Sequence, residues 1–519
     1  MKFHLSTTHA LRLGALALAA TLAGCAPLST RELPANPVAD NWPADATAAV
    51  PERGPTAVEL HWRDYFINPG LQQAIAQALA NNPDYRMALL RVEEARAAYS
   101  IQRADQFPTI GVAGSGGRSR VPGDLNFSGN SVVTSQYEAY AGLSNWELDL
   151  WGRVRNLKDS ALQEYLATDA AQRAVRITLI ANVANAWLGL RELDERIALA
   201  NQTIATREES YRIFKRRHDV GATSLLELTQ VETLLIQARA LGTQLEQART
   251  AQAHALAVLL GETRVEFPTL NEPPSTDSKI FAPLRVGLPS DLLTDRPDII
   301  AAEHRLEGAN ANIKAARAAF FPTISLTGNF GTASVELDNL FKGGSRAWAF
   351  MPSISLPIFD AGRRRANLDL AEVRSDLAVA NYERTIQTAF REVADALSAR
   401  QWLTEQVANM EASVDAQTRR ARLAQLRYDS GASAYLEVLD AQRDLLEAQQ
   451  LLVQARRSLL STHVSLYASL GGGASTETPD STPTMPTTGN ILGSSSAPAA
   501  AAATTTSSGA ISPPGNITE

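Results

Sequence analysis

A single cysteine, Cys25, serves the whole chain, so no intrachain disulfide can form. Histidines are few. Those at His61, His218, His254, His304 and His463 are scattered, without the spacing a metal site needs. No serine or cysteine stands in a nucleophile motif. Gly114-Ser115-Gly116-Gly117 opens no helix, so it offers no phosphate cradle. The chain therefore has no identifiable enzyme chemistry, and no cofactor or metal is expected. Excess positive charge is also missing. The net charge of −7 argues against a basic face for nucleic acid. The apolar run from Leu13 to Leu22 is too short to span a bilayer as a retained helix. Proline is absent from Arg153 to Phe267, and again from Arg363 to Thr478.

Those two proline-free stretches are rich in Ala, Leu, Gln, Glu and Arg, all good helix formers. Apolar residues recur at spacings of three and four, as in Leu190, Leu193, Ile197, Ala200 and Ile204. Leu397, Leu403, Val407, Met410 and Val414 repeat the stripe. This period predicts long helices packed at a shallow coiled-coil angle. A helix from about 154 to 219 would run roughly 100 Å, longer than a globular core needs. Gly221 and Gly431 are the expected breaks, because glycine suits a left-handed cap. Thr223 or Ser433 is then placed to cap the returning helix. Shorter helices are expected at about 70–106 and 297–320.

The chain is also duplicated. Asn82-Pro83-Asp84-Tyr85 returns as Arg296-Pro297-Asp298-Ile299, and Phe107-Pro108-Thr109-Ile110 as Phe321-Pro322-Thr323-Ile324. Asp219-Val220-Gly221-Ala222 returns as Asp429-Ser430-Gly431-Ala432, and Glu227-Leu228 as Glu437-Val438. Two long copies of one unit are expected to contribute the same elements to one assembly; the period is too long for a small-repeat solenoid.

Each copy holds a region with a two-residue period. Ile324, Leu326 and Phe330 alternate with Ser325, Thr327 and Asn329. Trp348, Phe350, Ile354, Leu356 and Ile358 share one parity, as do Trp146, Leu148 and Leu150. One greasy and one polar face suits a membrane barrel strand, and equally a soluble sheet over a core. One hairpin per copy makes about four strands. Bacterial barrels need at least eight, so these strands cross a membrane only if the chain oligomerises.

The ends complete the layout. Lys2 and Arg12, the apolar run and Ala23-Gly24-Cys25 read as a secretory signal over 1–24. An extended strap covers 25–59. The first repeat spans 60–270, with a hairpin at about 109–150. A connector fills 271–295, and the second repeat spans 296–470, with a hairpin at about 323–359. The Ser/Thr/Ala/Pro-rich tail from 471 to 519 has little to bury and is expected to be disordered.

Leu22-Ala23-Gly24-Cys25, Trp62-Arg63-Asp64-Tyr65-Phe66, Arg296-Pro297-Asp298, Phe321-Pro322-Thr323-Ile324 and Leu439-Asp440-Ala441-Gln442-Arg443 occur in an order that resembles the TolC-like outer-membrane efflux proteins, in their OprM/NodT-type lipoprotein branch. The resemblance covers about 60 to 470. It implies a mixed α and transmembrane β fold. A homotrimer would build a twelve-stranded outer-membrane barrel, four strands per chain, continuous with a long periplasmic α-helical barrel. It implies no enzyme but a passive duct, working with a periplasmic adaptor and an inner-membrane efflux pump. It also implies lipid attachment at Cys25; Ala26 in place of Asp resembles an outer-membrane address.

The resemblance further maps a periplasmic gate onto Asp440 and Glu437. Their three-residue spacing puts both on one helix face. Tyr428 matches a latch tyrosine with Glu227 as its expected partner, and Arg443 is spaced to pair with Asp440. The family's arginine after the turn glycine is replaced by Ser433. Other readings are a type I protein-secretion duct and a structural coiled-coil lipoprotein that is no channel. The exported substrate is not legible.

Overall fold

The computed structural model describes Trp42, residues 54–263 and residues 280–474. Cys25, the signal segment and the tail beyond 474 lie outside the described residues.

The first repeat opens with α1 (Trp62–Tyr65), α2 (Pro69–Asn81) and α3 (Pro83–Ala104). Strands β1 (Ile110–Val121) and β2 (Val132–Glu147) follow, then α4 (Arg153–Asp219) and α5 (Leu225–Leu259). The second repeat runs α6 (Leu292–Asp295), α7 (Pro297–Ala318), β3 (Thr323–Ser334), β4 (Arg346–Ser355), α8 (Arg363–Asp429) and α9 (Tyr435–Ser469). At 67 residues each, α4 and α8 are about 100 Å long.

The helix expected at about 70–106 is in fact two. Asn82 leaves the helical region, with ψ 124, and its side chain caps Tyr85 N at 3.0 Å. Pro83 takes the first position of α3, where its missing N–H costs nothing. In the second repeat Arg296 and Pro297 mark the same break. There the buried Arg296 donates to Ser469 O at 2.8 Å, to Asp298 Oδ2 at 2.6 Å and to Glu392 Oε2 at 2.9 Å. One side chain thus ties α7 to α8 and to the end of α9.

The main core lies partway along α4 and α8, where the short helices and the carboxyl ends of α5 and α9 meet them. Trp62, Tyr65 and Phe66 are buried there against α4 and α9. Tyr65 stacks on Tyr467 with centroids 4.2 Å apart. The two hydroxyls donate to distant carbonyls, Tyr65 to His463 O at 2.8 Å and Tyr467 to Leu60 O at 2.9 Å. The aromatic motif near the start is therefore a clamp on the last long helix. Burial pushes the His463 imidazole down to about 4, so the ring stays neutral inside.

The four strands form one antiparallel sheet in the order β1-β2-β3-β4. One face carries Ile110 and Val112, Leu143 and Ala141, Phe330, then Phe350 and Trp348 in register. The other carries Ser115 opposite Glu138, Gly117 opposite Gln136, and Ser325 opposite Ser353. The apolar face is open: Trp348 is 75% exposed and Val112 86%. The alternation expected through Asn145 breaks there, because a bulge shifts the register between Leu143 and Trp146 and Asn145 takes φ 51. Among the described residues the outer edges of β1 and β4 have no strand partner. At the strand-to-helix junction Trp151 stacks on Phe321 and donates to Pro322 O at 2.8 Å. That contact gives the Phe321-Pro322 motif its structural role.

Helix α7 packs on both long helices, α4 and α8, whereas α3 makes its extensive contact with α4. Met87, Leu90 and Ile101 on α3 stay exposed, as do Leu370, Val373 and Leu377 on α8.

Candidate functional site

Each pair of long helices ends in a tight turn, and the two turns share one backbone. Gly221 has φ 73 and Gly431 φ 74, the left-handed region where a side chain is strained. Gly221 N donates to His218 O and Ala222 N to Arg217 O, at 2.8 and 2.7 Å. Gly431 N and Ala432 N do the same to Tyr428 O and Arg427 O, at 2.9 and 2.8 Å. These bonds satisfy two carbonyls in the last turn of each of α4 and α8.

The side chains then diverge. In the first turn the cap is Ser224, one residue later than expected. Its hydroxyl accepts from Glu227 N at 3.2 Å, and Ser224 N donates to Glu227 Oε2 at 3.1 Å, a reciprocal capping box. The Thr223 hydroxyl donates to the same carboxylate. These hydrogen bonds, chiefly that of Thr223, hold the Glu227 pKa below the usual carboxylate range. In the second turn the cap position is Ala434, which has no side chain to offer. The Ser433 hydroxyl, expected as a cap, is buried without a hydrogen-bond partner. Glu437 turns away from its own helix end and accepts from Arg427 Nη1 of α8 at 3.0 Å.

Asp440 lies one turn further along α9, half-exposed on the same side. Arg443 Nη1 stands 3.3 Å from Asp440 Oδ1, and Nη2 donates to Asp444 Oδ1 at 3.0 Å. Arg420 Nη1 of α8 reaches Asp444 Oδ2 at 2.6 Å. The Arg420 bond is the main cause of a lowered Asp444 pKa. Near the turn, charge thus stitches α8 to α9 at Arg427–Glu437 and at Arg420–Asp444, and Arg456–Glu411 joins them further along.

Between the two hairpins sits an aromatic cluster. Tyr435 packs on Phe214 at 4.4 Å and on Tyr428 at 4.8 Å, and its hydroxyl meets Ser210 Oγ at 2.8 Å. Burial raises the Tyr435 pKa. Arg217 lies over the Phe214 ring and donates to the Tyr428 hydroxyl. Val231, Val438 and Leu439 close the cluster.

The structure therefore brings Asp440 and Arg443 together as the spacing predicts. Within one chain Tyr428 meets Arg217, while Glu227 is engaged by Thr223 and Ser224 of its own turn. Sequence reasoning missed Arg427, Arg420 and Asp444. Asp444 follows Arg443 directly, so it was legible; the two arginines reach across the hairpin and carry no local signal. No group of acidic, histidine or cysteine side chains among the described residues is arranged to hold a metal. What the site offers is carboxylates, arginines and a tyrosine at the free end of a helical hairpin.

A family model described as outer membrane efflux protein matches residues 74–262 and 288–472. Outer membrane protein OprJ of Pseudomonas aeruginosa is 43% identical over 459 residues, 88% of this chain and 95% of that protein. The toluene efflux pump outer membrane protein TtgC of Pseudomonas putida is 44% identical over 463 residues, 88% of this chain and 95% of its own length. The open-state MtrE outer membrane channel of Neisseria gonorrhoeae superposes with TM-score 0.78 at 38% identity, over 87% of this chain and 99% of that one.

Proposed function

The chain belongs to the outer membrane efflux protein family, and we propose that it is the outer-membrane channel of a tripartite efflux system. In that role it is a passive duct for small molecules, fed by an inner-membrane pump and a periplasmic adaptor. A relative named for toluene efflux supports the small-molecule class.

The observation that carries the reading is a sheet of four strands with both edges unpaired among the described residues and an apolar face in the open. Unpaired backbone in lipid costs several kcal/mol per group, so such a sheet is stable there only when closed. Three chains joined β4 to β1 supply twelve strands. The helices agree with this closure. In the second repeat α7 sits between α4 and α8, with His304 Nδ1 2.7 Å from Gln163 Oε1 and Gly308 against Ser160. By the duplication, Leu90 stands where His304 does, and Val373 stands where Gln163 does. Leu90 of one protomer then packs on Val373 of the next, covering the exposed stripes of α3 and α8. Leu90→Cys with Val373→Cys should give a disulfide-linked trimer under mild oxidation. A ladder that stops at monomer rejects this packing.

The lipid anchor belongs to the same reading. Leu22-Ala23-Gly24-Cys25 marks Cys25 for acylation, which would hold the mature amino terminus at the outer membrane. The barrel buries far more apolar surface than acyl chains do, so Cys25→Ser behind a replacement signal should still fractionate with the outer membrane.

The second hairpin is the gate. Three copies of Asp440 form a carboxylate ring at the periplasmic end, with Glu437 stacked three residues before it. Crowded like charges in a narrow passage attract cations. Tyr428, Arg443 and Glu227 are the latch candidates; Gly221 and Gly431 form the turns. The purified protein should conduct steadily in planar bilayers, and a trivalent cation added from the periplasmic side should block it. Bilayers that stay silent with correctly assembled trimer would reject the duct.

A further inference from the structure

We infer that the Glu437 carboxylate exchanges between two positions, Arg427 across the hairpin and the amino end of its own helix, and that this exchange sets the gate. The inference rests on the gate reading above and adds the step by which the hairpin unstitches.

The first repeat shows the second position already occupied. Glu227 stands third in α5, as Glu437 stands third in α9. Glu227 accepts from Ser224 N at 3.1 Å and from the Thr223 hydroxyl. The counterparts of those donors are Ala434 N and the Ser433 hydroxyl. The hydroxyl is buried with no partner where it stands. A buried donor without an acceptor is costly, so the unused position has a built-in pull on the carboxylate. Opposing that pull is Arg427, 3.0 Å from Glu437. Its counterpart Arg217 turns to Tyr428 instead and leaves Glu227 free to cap.

The two positions are close in energy. An ion pair this exposed, with Arg427 58% and Glu437 41% accessible, contributes little. The cap is weakened too, because Ala434 has no hydroxyl to reciprocate as Ser224 does. The first repeat carries the serine and sits in the capped position. The second carries alanine and sits in the paired one. When Glu437 moves, α8 and α9 lose one of their two ionic stitches at the turn. Arg427 becomes a free cation at the mouth of the tube, available to a carboxylate of an adjacent copy.

Ala434→Ser restores the missing reciprocal cap and should draw Glu437 off Arg427. On the assembled trimer, hydrogen exchange read residue by residue should slow about fivefold at the amide of position 434, the factor for a cap of about 1 kcal/mol. Resting conductance in planar bilayers should rise. Arg427→Gln should produce both changes by the opposite route. Adding Glu437→Ala to Arg427→Gln should abolish the protection while leaving the conductance high. If Arg427→Gln and Ala434→Ser leave that amide at the parent rate while Asp440→Ala still raises conductance, the gate stands and the exchange is wrong. If neither Arg427→Gln nor Asp440→Ala alters conductance, the gate reading falls and the exchange falls with it.

Discussion

The two helical turns are copies of one sequence that have been put to different use. Both reverse the chain at a left-handed glycine with the same backbone bonds. In the first, the helix cap is made locally: Ser224, Thr223 and Glu227 satisfy one another at the start of α5. In the second, the side-chain cap is missing, and Glu437 and Asp444 of α9 are spent on arginines of α8. The apolar residues divide in the same way. Tyr435 is buried in the cluster between hairpins, while Leu225, at the same place in the first repeat, is exposed. The two copies have diverged, so that one turn caps its own helix and the other does not. A gate belongs to the second kind, because contacts across a hairpin can be exchanged without unfolding either helix.

The largest expected difference comes from the aromatic cluster. Tyr435→Ala removes a buried ring and should destabilise the second turn by about 3 kcal/mol, read as faster amide exchange there. Leu225→Ala should cost within about 0.5 kcal/mol. Equal effects would break the comparison. The glycines test what the turns share: Gly221→Ala and Gly431→Ala should each cost about 1–2 kcal/mol in thermal unfolding of the trimer, and nearly the same amount. A smaller difference is expected at the caps. Ser224→Ala should lose about 1 kcal/mol of protection at the start of α5, whereas Ala434→Gly should lose none at the start of α9, because there is no side-chain cap to remove and glycine is the better of the two at a cap position.

The long helices, the duplication and the alternating strands were legible because each has a period that burial imposes. Leu190, Ile197 and Ala200 announced the buried stripe of α4 and are buried. The break at Asn82-Pro83 was written in the sequence and was overlooked, since the apolar period continues across it. The bulge at Asn145 was not legible, because it depends on the register of β2 against β3. At the turns the glycines were legible and the caps were misplaced by one residue. The pairing of Arg443 with Asp440 follows from helix spacing. Arg427 and Arg420 could not be found that way: which arginine on α8 meets which acid on α9 depends on how two helices pack.

The central claim is that the second turn, and not the first, closes the duct. Its direct test is single-channel conductance of the trimer with Asp440→Ala against Gln230→Ala, its first-repeat counterpart. Asp440→Ala should raise conductance, lower cation preference and weaken block by a trivalent cation, with Gln230→Ala close to the parent in all three. Equal responses, or no response to Asp440→Ala, would contradict it.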